Sequence, residues 1–132
     1  MDQKRRVVVT GLGLISPLGN SVKTSWNSAI EGRSGAALIS KFDTENFITK
    51  FGATVKDFEA LDCIDPKEAR RTDLFIQYGT AAAIEAINDS DFLESYQLED
   101  IGVSVSSGIG GLSTIEENAI TLKEKGPRRI SP

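Results

Sequence analysis

Three places in the sequence carry residue types that could do chemistry. Ser104 to Gly111, SVSSGIGG, reads as a strand end that runs into a glycine-rich loop and then a helical pattern. Such a loop can hold a phosphate against a helix N-terminus. It can equally form a tight turn that serves packing alone. A second glycine-rich stretch, VVVTGLGLISPLG, lies near the start of the chain. The third place is Cys63, the single cysteine, which precedes a helix start at Asp65. Lys67 and a helix N-terminus could favour its thiolate, but no base or oxyanion partner accompanies it. Cys63 therefore reads as an ordinary small residue and not as a nucleophile. The sequence contains no histidine. That absence removes the commonest general base, the Ser-His and Cys-His pairs and most transition-metal sites.

The glycine loops fall short of nucleotide-binding patterns. A dinucleotide fingerprint needs G-x-G-x-x-G directly after a strand, with a helix opening at once and an acidic residue about 20 positions on. Gly11-Leu12-Gly13-Leu14-Ile15-Ser16 lacks the third glycine, and Pro17 follows it. SSGIGG lacks the Lys-Ser/Thr of a P-loop. For both loops, close backbone approach at a strand-to-helix turn is the stronger reading.

The elements that must position these loops follow from pattern. Arg5 to Thr10 is a β-branched run and is expected to form a buried strand. Asn20 or Ser21 can cap a helix ending near Gly32, with Val22, Trp26, Ala29 and Ile30 on one face. The stretch from Gly32 to Ala60 is irregular, with a short edge strand within KFGATVKDF. Asp65-Pro66-Lys67-Glu68 is a helix start: Asp at the N-cap, Pro first, Glu third. A helical pattern continues to about Asn88, with a break near Thr72–Asp73. Phe75, Tyr78, Gly79, Ala82, Ala83, Ala86 and Ile87 make one stripe, small enough for close backbone packing. Ile101 to Ser106 is expected to be a second strand. Leu112, Ile115, Ala119 and Leu122 mark a last helix, stopped at Gly126-Pro127. The order favours an α/β layered fold with parallel strands, the strand at 5–10 beside that at 101–106 and the helix at 73–88 across them. Two parallel strands make a poor core by themselves, so the chain is expected to stop before its fold is complete.

The 132 residues suit about one domain. Hydrophobic residues at 39% and charged residues at 26% place the chain among ordinary globular proteins. No apolar run reaches the length of a membrane span, and MDQKRRVVVT is too short in apolar residues for a secretory signal. A cytoplasmic location is expected. The net charge of −4 argues against general nucleic-acid binding.

Four blocks in order, RRVVVTGLGLISPLGNSV, FDTENFITKFGATVKDF, FIQYGTAAAIEAINDS and VSVSSGIGGLSTIEEN, resemble the N-terminal portion of the bacterial 3-oxoacyl-(acyl carrier protein) synthases of the type II elongating class. The resemblance runs from about Arg5 to Pro132. It implies a thiolase-like fold, layered α-β-α-β-α in the complete enzyme, of which residues 1–132 would be the N-terminal portion of the first half. It implies a homodimer that condenses an acyl thioester on a Cys with malonyl-acyl carrier protein. CO2 is lost, two His residues stabilise the carbanion, and no metal or organic cofactor takes part. The Cys and both His would lie beyond Pro132, so no catalytic residue is expected in this chain and the chain alone is expected to be inactive.

The resemblance also gives SGIGG a role. Ile109 matches the family isoleucine that lines and gates the acyl pocket near the dimer interface, with Gly108, Gly110 and Gly111 letting the loop pass tightly and move. Lys67, Arg70 and Arg71 fall at i, i+3 and i+4 of the predicted helix and so on one face, early in it, where the helix dipole disfavours cations. The matching family positions dock the acidic acyl carrier protein, acyl- or malonyl-loaded. On the residues alone they read equally as a solvated basic face with Glu68 and Asp73 nearby. The competing functions are a carrier-protein-binding piece without chemistry and, less favoured, a Rossmann-type nucleotide binder.

Overall fold

The computed structural model describes residues 5–62, 64–94 and 96–130. Cys63 lies outside them. Among the described residues, four α-helices and one small sheet follow in the order α1 (Val22–Ile30), β1 (Ala36–Leu38), β2 (Phe51–Ala53), α2 (Pro66–Ala69), α3 (Leu74–Ser90) and α4 (Leu112–Lys125). Single 3-10 turns lie at Ala60–Asp62, Phe92–Glu94, Leu98–Asp100 and Pro127–Arg129.

The helix ends follow the capping chemistry of the sequence. Ser21 and Thr24 make a reciprocal capping box, in which each backbone N–H donates to the other's hydroxyl at 3.1 Å. Asp65 caps α2 through Lys67 N–H at 2.8 Å, with Pro66 in the first position. The expected break at Thr72–Asp73 is present and has an agent. Gln77, buried at 8% exposure, donates its side-chain amide to the carbonyls of Ala69 and Thr72, both at 2.8 Å. It satisfies carbonyls freed where the chain leaves α2, and α3 begins one residue after Asp73.

The small-residue stripe on α3 receives the N-terminal loop. A Cβ placed on Gly11 would lie 2.2 Å from the Ala86 carbonyl oxygen, and one on Gly13 would lie 1.7 Å from that of Ala82. Both glycines are thus required by close backbone approach, as the sequence suggests. Two carboxylates one turn apart on α3 hold this loop. Asp89 accepts Leu12 N–H at 3.0 Å, while Glu85 accepts Leu14 N–H and Val22 N–H, each at 2.9 Å. Val22 opens α1, so Glu85 also places negative charge at that helix N-terminus.

Three expectations are corrected. Arg5–Thr10 and Ile101–Ser106 form no strand ladder; the only sheet among the described residues pairs β1 with β2, antiparallel, in the register Ala36↔Ala53, Ala37↔Gly52 and Leu38↔Phe51. β2 falls where an edge strand was expected. β-branched sequence favours extended backbone, but a strand also needs a second backbone in register to close its hydrogen bonds. Second, the basic triplet does not share a helical face. α2 ends at Ala69, Arg70 is its C-cap and Arg71 lies in the turn beyond. Arg70 and Arg71 therefore sit where the dipole of this short helix favours cations. Third, the apolar face of α1 is not covered: Trp26 is 65% and Ile30 66% exposed, while Ser25 is buried at 2%. Its hydroxyl lies 2.8 Å from that of Ser16 and 2.9 Å from the Gly19 carbonyl, closing the turn that Ser16 and Gly19 make around Pro17. No apolar side chain among the described residues is fully buried.

Candidate functional site

The loop SGIGG is a turn between the extended segment that ends at Ser107 and α4. Its inside is closed by Ser107, whose Oγ accepts Gly110 N–H at 2.9 Å. Gly110 has φ +91°, a backbone that side-chain-bearing residues rarely adopt. The Phe75 ring lies beneath it, 3.8 Å from where a Cβ would sit. Gly108 has open space around it. Ile109, at the tip, is 72% exposed.

Two concavities adjoin this turn. One, of about 490 Å3, is apolar and lies between α3 and the extended segment; Phe75, Gly79, Ala83, Ile87 and Val105 line it. Gly79, Ala83 and Ile87 form one row along α3, and Ala82 and Ala86, which receive the N-terminal loop, form the neighbouring row. The loop at 11–14 and the end of the 101–107 segment therefore run over adjacent rows of one helix. The other concavity, about 450 Å3, is lined by Thr72, Asp73, Phe75, Tyr78, Gly110 and Leu112. Tyr78 stacks edge-on against Phe58 at 4.8 Å, and desolvation by burial raises its phenol pKa above the usual value.

The start of α4 and the turn at 70–73 that follows the basic triplet are joined through Asp73. Lys67, Arg70 and Arg71 are exposed, and among the described residues no carboxylate lies within ion-pair distance of them. Glu68 and Asp73, the expected partners, do not pair with them. Two residues after Arg71, Asp73 reaches the start of α4, where Thr114 Oγ1 donates to its carboxylate at 2.5 Å. Asp73, Ser107, Glu85 and Gln77 were not singled out from sequence as binding groups. A carboxylate at an N-cap, a Ser three residues before a glycine, and an i, i+4 carboxylate pair were the signals available. Among the described residues no group of His, Cys, Asp or Glu has the arrangement of a metal site, and no helix is long and apolar enough to cross a membrane.

This arrangement of helices around a glycine turn is the N-terminal part of a thiolase-like ketosynthase fold. The chain belongs to the beta-ketoacyl synthase family: residues 4–132 match the family's N-terminal domain. It is 50% identical over 130 residues to the 3-oxoacyl-[acyl-carrier-protein] synthase 2 of Vibrio harveyi, an overlap of 98% of this chain and 31% of that protein. The synthase 2 of Staphylococcus aureus strain COL is 45% identical, matched over 100% of this chain and 32% of its own length. Among solved structures, the ishigamide ketosynthase/chain length factor superposes with a TM-score of 0.77 at 31% identity, covering 98% of this chain and 33% of that one. A type II polyketide acyl-carrier protein in complex with its ketosynthase, bound to the hexaketide, gives a TM-score of 0.73 at 28% identity over 95% of this chain and 34% of that one. The chain thus spans about a third of the length of the relatives it matches.

Proposed function

We propose that this chain supplies the N-terminal portion of the first thiolase-like half of an elongating 3-oxoacyl-(acyl carrier protein) synthase. The observation that carries this reading is identity of 43–50% across essentially the whole chain to proteins of that name. The reaction joins an acyl thioester to malonyl-acyl carrier protein with loss of CO2, and the catalytic Cys and His residues come from outside these 132 residues. The resemblance implies no metal or organic cofactor, a homodimer and a cytoplasmic location. Within the chain, Ile109 with Gly108 and Gly110 gates the acyl pocket. Lys67, Arg70 and Arg71 dock the acidic carrier protein. Their exposure and lack of ion pairing support this role, as does the carrier-protein complex of a structurally similar ketosynthase. The test is to supply the full-length protein with acyl- and malonyl-carrier protein and read the products by mass. A 3-oxoacyl-carrier protein two carbons longer is expected; decarboxylation without carbon–carbon bond formation overturns the reading.

A further inference from the structure

We propose that Asp73 is a positioning residue for the Ile109 turn, fixing the exit of that turn by taking over the N-terminus of α4. Asp73 stands at the N-cap of α3 with extended backbone, yet its side chain makes no cap hydrogen bond to its own helix. An aspartate at that place ordinarily closes the helix it precedes. Here its carboxylate is turned across 41 residues of sequence to α4, where it accepts the Thr114 hydroxyl. Gly111, the N-cap of α4, has no side chain to cap with. The Asp73 carboxylate lies so close to it that a Cβ on Gly111 would fall 1.8 Å from Oδ2. Asp73 thereby supplies the negative charge that the first turn of α4 lacks. A side chain at position 111 would have to displace that carboxylate. Ser107 holds the inside of the turn and Asp73 holds its exit, so Ile109 projects between two fixed points.

The inference rests on the reading of Ile109 as the acyl-pocket gate and deepens it: acyl-length selection depends on the Asp73–Thr114 contact as well as on the isoleucine. The experiment uses the full-length protein with Asp73→Ala, Thr114→Val, Thr114→Ser and Ile109→Ala. Two quantities are read: the ratio of kcat/KM for long over short acyl-carrier proteins, and hydrogen exchange at the amides of residues 110–115. Asp73→Ala is expected to move the ratio about three- to tenfold, in the same direction as Ile109→Ala, and to speed exchange at 110–115. Thr114→Val should give a smaller change of the same sign, not additive with Asp73→Ala, and Thr114→Ser should restore both quantities. If Asp73→Ala does not fold, Asp73→Asn keeps an acceptor for Thr114 and removes the charge; it should still shift both quantities in the same sense. Unaltered exchange at 110–115 overturns the proposal, and so does an equal loss of kcat/KM at every acyl length. An Ile109→Ala variant with unchanged acyl preference overturns the gate reading instead, and the exchange data then decide separately whether Asp73 holds the turn.

Discussion

Single residues set how closely the chain can fold back on α3. Gly13 has no room for even a methyl group: its Cβ would overlap the Ala82 carbonyl, which belongs to helix backbone and cannot turn aside. Gly13→Ala in the full-length protein should therefore cost at least the ~1–3 kcal/mol typical of overpacking, read as a lower midpoint in denaturant unfolding. Gly32→Ala tests a different cause, because Gly32 meets no neighbouring atom and is constrained only by φ +68°. Its cost should be about 1 kcal/mol, and a loss as large as that of Gly13→Ala would refute the packing argument. Tyr78 gives a pH-dependent counterpart. Burial raises its pKa, so the folded state resists ionisation that the unfolded chain undergoes freely. Stability is then unaffected below pH ~10 and falls as pH rises from there toward the folded-state pKa. Tyr78→Phe should remove that part of the alkaline loss, measured as a flatter stability curve above pH ~10.

At the level of elements, what was legible in the sequence was what is decided locally. Ser21, Asp65-Pro66 and Gly126 mark the ends of α1, α2 and α4 because capping is settled within one helical turn. The interruption before α3 was also legible, but its agent, Gln77, was not, because its amide points back to carbonyls five and eight residues earlier. Strands failed for the opposite reason: Val7 to Val9 and Val103 to Val105 declare extended backbone, and only a partner in register makes that a ladder. The turn at 107–111 was legible from its glycines and its role came from the resemblance, whereas the reach of Asp73 to α4 became visible only when α3 and α4 were placed in space. The corrected boundary of α2 also changes how the basic triplet acts. Lys67, Arg70 and Arg71 lie around a one-turn helix and its exit, so the proposed docking of an acidic partner would use exposed cations spread over that turn and not one helical face. Such exposed charges act mainly through association rate and are screened by salt. Lys67→Glu combined with Arg71→Glu in the full-length protein should raise KM for acyl-carrier protein severalfold at low salt. It should leave turnover of a small acyl-CoA nearly unchanged. Equal losses on both substrates would assign the residues to holding the fold.

For the whole molecule, surface area decides. The chain exposes 11,497 Å2, whereas a folded monomer of this size exposes roughly 6,800 Å2. The excess, roughly 4,700 Å2, is far more than the ~800 Å2 per partner that a standard protein–protein contact covers. Much of it is apolar: Val7 and Val9, Trp26, Leu38, Ile48, Val103 and Val105 all stand more than half exposed. These residues lie on the two extended segments, on α1 and β1, and in the loop before β2, so no single small contact covers them all. The relatives are about three times longer than this chain, and that added length is of the order needed to supply strands beside 5–10 and 101–106. The 132 residues expressed by themselves should accordingly bind a hydrophobic dye strongly and elute from a sizing column as a broad, concentration-dependent distribution. They should release no 3-oxoacyl product from acyl- and malonyl-carrier protein, since the chain has no histidine. The same residues within the full-length protein should lose the dye signal. A sharp monomer peak with little dye binding would mean that the exposed valines and Trp26 find cover within the chain, and would overturn the view that the rest of a longer protein provides it.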